Sequence, residues 1–269
     1  MIFNTNNIFS LWIKNPATTL NFQVWMSWLN LGYNVTIYSD RDLKKELPLK
    51  LAQQIEVKPV SSSLLNSAPS FVINQENLLQ FTDLWRFKYL ELFGGTWVDS
   101  DLILKKRIPP EDIVISSEHT LQKGGRKSKD NFRPNIGVLR FPPNNKFVSH
   151  IVSVLTPTTK EDESPNVNNT SKMMKFIKEI KKKKWAHVYA KVVPPQVYCP
   201  VPYPYAKELF TVNEVDLFGK EKYGLSADYT DEQTIGYHLW ENLAFRKHKV
   251  DLDDDVHENS IYNNLLVKF

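Results

Sequence analysis

One residue type is almost missing from the sequence, because its 269 residues include a single cysteine, Cys199. A lone cysteine has no partner for a disulfide within the chain, so a disulfide-stabilised scaffold is excluded and a reducing compartment is favoured. No CxxC or Cys-His spacing surrounds Cys199. We therefore expect a buried, unreactive thiol rather than a nucleophile or a metal ligand.

Long apolar runs are missing as well. No segment reaches the about 18 consecutive apolar residues that a membrane-spanning helix needs. The first residues, MIFNTNNIFSLWIKNP, also lack the basic and then apolar pattern of an export signal. We therefore expect a cytoplasmic protein.

Neither sign of charge is in large excess. The 34 Lys and Arg residues face 30 Asp and Glu residues, which leaves a net charge of +4, so charge alone indicates no partner. Hydrophobic residues make up 42% of the chain and aromatic residues 12%, which excludes a disordered or collagen-like protein. The length fits one large domain or two small ones.

Strand-like and helix-like segments alternate up to residue 155. In chain order we predict a strand at 8–13, a helix at 18–31, a strand at 33–38, a helix at 76–93 that ends at Gly94 and Gly95, strands at 96–104, 113–118 and 135–141, and a helix at 146–155. A polar loop is expected at 121–134. This order indicates an α/β fold with a mostly parallel sheet covered by helices.

After residue 155 the pattern is less regular. We expect a surface loop at 156–170, a basic amphipathic helix at 171–185 and an irregular proline-rich segment at 192–205. The basic helix has two interpretations. Its lysines at 181–184 could dock on an anionic membrane, or its apolar face could pack on the core with the lysines in water.

The segment 81–103, FTDLWRFKYLELFGGTWVDSDLI, carries the most informative chemistry. Asp83 and Arg86 are three residues apart on a predicted helix and so share one face. Asp99 and Asp101 are two residues apart on a predicted strand, which places both side chains on the same face. Neighbouring carboxylates repel each other, and a divalent cation such as Mg²⁺ or Mn²⁺ removes that conflict. A solvated strand edge and a surface ion pair are the alternatives.

The motif D-L-W-R at 83–86, followed by L-F-G-G-T-W-V-D-S-D at 92–101, resembles the signature of glycosyltransferases of the DXD-containing sugar-binding family. That family includes capsular and lipopolysaccharide sugar transferases, the yeast initiating mannosyltransferase and the α-1,4-galactosyltransferases. The segments SLWIKNP and YNVTIYSD resemble its first two strands, and GYHLWEN at 236–242 resembles the HLW motif of the α-1,4-galactosyltransferases.

The resemblance implies a GT-A fold, a single Rossmann-like α/β domain over residues 1–269 in which 156–269 form a less regular, acceptor-side and C-terminal extension. The implied reaction is hexosyl transfer with retention of configuration, as in polysaccharide biosynthesis, from a nucleotide sugar to a glycan or glycolipid acceptor. The implied cofactor is Mn²⁺ or Mg²⁺. A UDP-sugar is our first choice of donor and GDP-mannose our second. No carboxylate nucleophile is evident, so a front-face mechanism is implied.

The resemblance also assigns roles to individual residues. Asp99 would contact the sugar and ribose of the donor, Asp101 would bind the metal and the diphosphate, and Asp83 and Arg86 would bind donor sugar hydroxyls. Trp12, Tyr38 and Asp40 would lie near the base of the donor, and Asn135 would lie near both substrates. His238 would bind the metal or the diphosphate, and Trp240 would close over the phosphates. A strand cap is the alternative for Asn135, and a core histidine is the alternative for His238.

Two other functions stay open at this point. A metal-dependent phosphoesterase also uses paired aspartates, but it normally needs more His and Asp ligands than the sequence offers. A basic nucleic-acid-binding protein could use the lysine-rich helix, but no recognition motif is present.

Overall fold

The computed structural model describes residues 4–60, 64, 78–121, 127–156, 170–219 and 231–266. Its strands are β1 (Asn7–Trp12), β2 (Asn34–Ser39), β3 (Glu56–Pro59), β4 (Gly95–Val98), β5 (Leu102–Leu104), β6 (Val114–Leu121), β7 (Lys127–Phe141) and β8 (Gly236–His238). Its α-helices are α1 (Thr19–Asn30), α2 (Leu49–Gln54), α3 (Leu78–Phe93), α4 (Lys146–Leu155), α5 (Thr170–Ile180), α6 (Ala186–Tyr189), α7 (Glu208–Thr211), α8 (Glu214–Gly219) and α9 (Ile261–Leu265).

A central sheet of six strands has the order β3-β2-β1-β4-β7-β6. β1 is parallel to both β2 and β4, and β2 is parallel to β3. β7 is antiparallel to both of its neighbours, so it alone runs against the other strands of this sheet. The predicted α/β architecture with a mostly parallel sheet is confirmed. β5 and β8 form a separate antiparallel pair.

Helices cover both faces of the central sheet. Ile8 of β1 packs in a buried cluster with Trp25 of α1. The next residue, Phe9, points to the opposite face and meets the ring of Trp97 at a centroid distance of 5.7 Å, in a cluster that includes residues of α3, α4 and α5. Because successive side chains of a strand leave opposite faces, a strand buried on both sides needs an apolar run of this kind.

The strand predicted at 96–104 is two strands separated by a turn. β4 ends at Val98, the backbone N–H of Leu102 donates to the carbonyl of Asp99 at 3.0 Å, and β5 begins at Leu102 in the second sheet. The prediction that Asp99 and Asp101 share one face of one strand is therefore wrong. Apolar residues continue on both sides of the Asp-Ser-Asp segment and mask the turn that these polar residues favour.

Two further predicted boundaries are corrected. The predicted loop at 121–134 is partly strand, since β6 and β7 pair out to Leu121 and Lys127. The helix predicted at 171–185 ends at Ile180. Its apolar residues Phe176 and Ile180 are buried while the lysines at 181–184 are exposed, which favours a helix packed on the core. The predicted loop at 156–170 lies largely outside the described residues.

Within the described residues, no helix combines the length and the apolar character that crossing a membrane requires.

Candidate functional site

The candidate site lies at the carboxyl ends of β1 and β4. The next two strands along the chain, β2 and β3, lie on one side of β1, and β4 lies on its other side, so the strand order reverses between β1 and β4. In open α/β sheets, ligands bind in the crevice at such a point. A cavity of about 300 Å³ opens there, lined by residues that include Ser10, Asp99 and Trp240. We call it the central cavity.

Helix α3 carries Arg86 to this cavity. The helix ends at Gly94, whose φ of 63° lies in the left-handed region that glycine adopts readily, and this confirms the predicted helix end. The chain turns there directly into β4, so α3 packs beside that strand. The guanidinium carbon of Arg86 consequently lies 4.4 Å from the centroid of the Trp97 ring.

Arg86 joins Asp83 and Asp99. Its Nη2 lies 3.2 Å from Oδ1 of Asp99 and 3.7 Å from Oδ1 of Asp83, and its Nη1 donates to the carbonyl of Ile136 at 2.7 Å. The indole N–H of Trp97 donates to Oδ1 of Asp99 at 2.6 Å. Because Arg86 is only 4% exposed, the surface-pair alternative for Asp83 and Arg86 does not hold.

His238 lies against Asp101. β8 pairs with β5 so that His238 is opposite Leu102, and this brings a residue near the end of the chain to the turn after β4. Nε2 of His238 lies 3.1 Å from Oδ1 of Asp101, and the backbone N–H of Glu241 donates to Oδ2 of Asp101 at 3.1 Å. His238 also lines the central cavity, although it is only 7% exposed.

The two carboxylates have opposite pKa shifts. Burial raises the pKa of Asp99, although Arg86 opposes this effect. Burial acts in the same direction on Asp101, but the charge and hydrogen bond of His238 outweigh it and hold the pKa of Asp101 below its usual value. Burial lowers the pKa of His238, yet Asp101 outweighs it and holds that pKa well above its usual value. Asp101 and His238 therefore each favour the charged form of the other, and a metal would compete with the proton of His238.

Asp99, Asp101 and His238 offer three ligand atoms that all lie within 4.8 Å of one another. We call these residues the carboxylate–histidine cluster. Two carboxylate oxygens and one imidazole nitrogen suit Mn²⁺, and Mg²⁺ prefers the oxygens. The donor set therefore fits a divalent cation, and it is the one group of its kind among the described residues. All three side chains line the central cavity, so a bound cation would face its contents.

The residues expected near the base are only partly brought together. Trp12 lines the central cavity. Tyr38 lies elsewhere, since its hydroxyl donates to that of Tyr89 at 3.1 Å in an aromatic cluster on α3. Asp40 accepts from the backbone N–H of Lys14 at 3.2 Å and lines a different cavity beside β3.

Asn135 lies close behind the carboxylate–histidine cluster. Its Oδ1 accepts from the backbone N–H of Gly137 at 2.6 Å, and its Nδ2 donates to Glu118 at 3.1 Å. A Cβ atom added at Gly137 would lie 2.9 Å from Oδ1 of Asn135 and 3.5 Å from both Oδ2 of Asp99 and Cε1 of His238. Asn135 is thus a neighbour of the cluster, although it does not line the central cavity.

Trp240 covers His238 from one side. Its ring stacks on the imidazole at a centroid distance of 3.9 Å and an interplanar angle of 27°. The indole N–H donates to the carbonyl of Val201 at 3.1 Å, and the backbone adopts a φ of 54°, which is uncommon for a residue with a side chain. These constraints hold the ring at the wall of the central cavity.

Several polar residues of the site had not been predicted. Asn21 of α1 donates to the carbonyl of Ser100 and to Oε2 of Glu241, both at 3.3 Å, and the hydroxyls of Ser10 and Ser100 lie 2.9 Å apart. Burial, and then the charge of Asp101, raises the pKa of Glu241 to about 7. Ser100 and Glu241 could have been predicted as site residues, because both lie inside motifs that resemble those of the glycosyltransferase family. Asn21, in a predicted helix, lies outside those motifs.

No protein-family model matches the sequence, and no curated protein is similar enough in sequence to count as a relative. Solved structures do match. The chain is similar to the PaToxG glycosyltransferase, with a TM-score of 0.48 and 20% identity, over 69% of this chain and 75% of that one. It is also similar to the apo form of the glycosyltransferase GlyE of Streptococcus pneumoniae (TM-score 0.46, 12% identity, 87% of this chain and 54% of that one).

A third structure is that of the galactosyltransferase LgtC in complex with donor and acceptor sugar analogues. Its TM-score is 0.37 at 13% identity, over 71% of this chain and 74% of that one. At these identities the likeness is one of fold.

Proposed function

We propose that this protein is a metal-dependent, retaining glycosyltransferase of the GT-A type, with residues 1–269 as one domain. It would transfer a hexose from a nucleotide sugar to a glycan or glycolipid acceptor, with a UDP-sugar as the favoured donor and GDP-mannose as the second choice. The observation that carries the proposal is the convergence of the carboxylate–histidine cluster with Arg86 at the carboxyl ends of β1 and β4.

In this proposal Asp101 and His238 would hold Mn²⁺ or Mg²⁺. The bound cation supplies a Lewis acid for the charge on the leaving diphosphate, which is worth several kcal/mol in enzymes of this kind. Asp99 has a different environment, because Arg86 and Trp97 both contact its Oδ1. That arrangement orients its other oxygen, and it supports a role for Asp99, Asp83 and Arg86 in binding the donor sugar.

The carboxylate–histidine cluster also bears on the phosphoesterase alternative. Two-metal hydrolysis needs a second group of ligands close to the first. In the part of the chain that is described, one such group exists. The described residues therefore offer no second group of ligands, which argues against a two-metal phosphoesterase.

The decisive experiment pairs Asp101→Asn with Asp254→Asn, a matched control in an exposed loop. UDP-glucose, UDP-galactose, UDP-N-acetylglucosamine and GDP-mannose are each offered with and without Mn²⁺, and donor binding and donor hydrolysis are measured. We expect the wild type and Asp254→Asn to use one of the donors only with Mn²⁺. Asp101→Asn should lower Mn²⁺-dependent donor use at least about 100-fold, since loss of a group that only orients a metal ligand already costs 10–100-fold in metal affinity or activity. A wild-type protein that uses none of the donors, or an unaffected Asp101→Asn, would overturn the proposal.

A further inference from the structure

Three stacked or touching rings, those of His238, Trp240 and Tyr203, extend from the carboxylate–histidine cluster to solvent. Trp240 stacks on His238, and the ring of Tyr203 meets Trp240 edge-on at a centroid distance of 5.4 Å and an angle of 86°. His238 is 7% exposed and Trp240 8%, whereas Tyr203 is 48% exposed. All three line the central cavity. Tyr203 therefore forms part of its outer rim.

The backbone holds Tyr203 in place. It begins the 3₁₀ turn Tyr203–Tyr205, with Pro202 before it and Pro204 within it. Proline restricts the backbone angle φ and so stiffens the segment. A ring that is already ordered loses little conformational entropy when a ligand packs against it.

A second apolar side chain lies at the same rim. Leu79, in the first turn of α3, lines the central cavity and is 52% exposed. Exposed apolar groups that share a cavity with buried charged groups are typical of a ligand-binding groove. The polar interior holds Asp99, Asp101 and Arg86, so the rim is apolar where the interior is charged.

We propose that Tyr203, supported by Leu79, forms the binding site for the acceptor and that its occupant is a pyranose ring. The inference rests on the proposed function, in which the donor occupies the charged interior of the cavity. The acceptor must then enter from the solvent side, past the rim. One face of a pyranose consists of C–H groups and its edge of hydroxyls, so it presents an apolar face to a tyrosine ring while its edge stays hydrated. Tyrosine suits such contacts because it is large, rigid and amphipathic.

The test compares Tyr203→Ala, Tyr203→Phe and Phe93→Ala. Phe93 is a matched control because it is 56% exposed and lines a different groove, beside Gly94 and Gly95. The probes are methyl β-D-galactopyranoside, methyl β-D-glucopyranoside, methyl α-D-mannopyranoside and n-octyl β-D-glucopyranoside. Each is titrated by NMR in the presence of diamagnetic Mg²⁺ and of UDP or GDP, whichever belongs to the donor that binds, and thermal unfolding verifies that each variant is folded.

We expect the wild type to bind at least one methyl glycoside and Tyr203→Ala to raise its Kd about tenfold, the range of one lost aromatic contact. Tyr203→Phe, which keeps the ring, and Phe93→Ala should stay within about twofold of the wild type. Absence of methyl glycoside binding, or an equal loss in Phe93→Ala, would contradict the proposal. So would a Tyr203→Ala effect confined to the octyl glycoside, because the rim would then bind an alkyl chain.

Donor binding of the wild type, measured in parallel, separates the two proposals. If a nucleotide sugar binds with Mn²⁺ and Tyr203→Ala leaves glycoside binding intact, the acceptor site is wrong and the proposed function stands. If no nucleotide sugar binds, the proposed function itself fails.

Discussion

The sulfur of Cys199 lies 3.8 Å from Nδ1 of His238, and Nε2 of the same imidazole lies 3.1 Å from Oδ1 of Asp101. Cys199 is 1% exposed, so the predicted burial of this thiol is confirmed. Burial also raises its pKa above the usual value. The thiol is thus the neighbour of the imidazole nitrogen that points away from the proposed metal position.

Replacing Cys199 should change the affinity for a cation. A metal-binding histidine is oriented by the partner of its other ring nitrogen, and loss of such a partner costs about 10–100-fold in metal affinity. Because a thiol is a weak partner, we expect Cys199→Ala to raise the Kd for Mn²⁺ by about tenfold, at the low end of that range. Electron paramagnetic resonance of free Mn²⁺ measures this directly. An unchanged Kd in a variant that unfolds at the wild-type temperature would show that Cys199 only fills space.

The same burial makes Cys199 a reporter of unfolding. The thiolate is the reactive form, and a thiol with a raised pKa inside the core offers little of it. We expect iodoacetamide at pH 8 to modify the native protein at least about 100-fold more slowly than the urea-unfolded protein, since reaction requires opening of the fold. Intact mass is the readout, because the chain has one cysteine. Equal rates in both states would contradict the buried position.

Arg86 should be needed for stability as well as for the site. Removing one partner of a buried ion pair leaves the other charge uncompensated and costs about 3–5 kcal/mol. We therefore expect Arg86→Met to lower the free energy of unfolding in urea by that order. Lys88→Met is the control on the same helix, because the pair of Lys88 and Glu91 is more exposed and is worth less than about 1 kcal/mol. Similar losses in both variants would argue against an ion pair that matters at Arg86.

The turn after α3 gives a prediction about backbone geometry. Gly94 and Gly32 both have positive φ, 63° and 76°. An added Cβ at Gly94 would lie 2.6 Å from the backbone nitrogen of Pro143, whereas at Gly32 the nearest atom is Nη1 of Arg107, at 3.3 Å. Positive φ alone costs about 1–3 kcal/mol, which we expect for Gly32→Ala. Gly94→Ala should cost more because backbone has to move. Equal losses of unfolding free energy in the two variants would show that the contact with Pro143 relaxes freely.

Local features of the site were readable in the sequence. The spacing of Asp83 and Arg86 on a helix, the glycine that ends this helix and the apolar strand that follows are set by interactions among residues close in the chain. Since these determinants are local, the prediction of α3 and of the start of β4 agrees with the structure, although β4 ends at Val98. The proximity of Asp99 and Asp101 was also predicted, but for the wrong reason.

Residues distant in the chain were placed only by the tertiary structure. Whether a β2 side chain faces one side of the sheet or the other depends on the register of the strand. Tyr38 faces Tyr89 of α3 and therefore does not reach the central cavity. β8 and the π-helical segment Asn242–Lys247, which lie on either side of Glu241 in the chain, bring this residue against Asn21. No periodicity encodes this contact between residues far apart in the chain. Glu118, the partner of Asn135, depends in the same way on the pairing of β6 with β7.

The sequence by itself determined the class of fold, the buried thiol and most of the proposed site residues, because apolar periodicity and short motifs act over a few residues. The tertiary structure decided which of these residues meet. The turn between β4 and β5 and the pairing of β5 with β8 put His238 beside Asp101, and the stack of Trp240 and Tyr203 links that pair to solvent. Such contacts depend on packing between segments that are distant in the chain. This packing stabilises the protein only when the whole sheet and its helices have assembled.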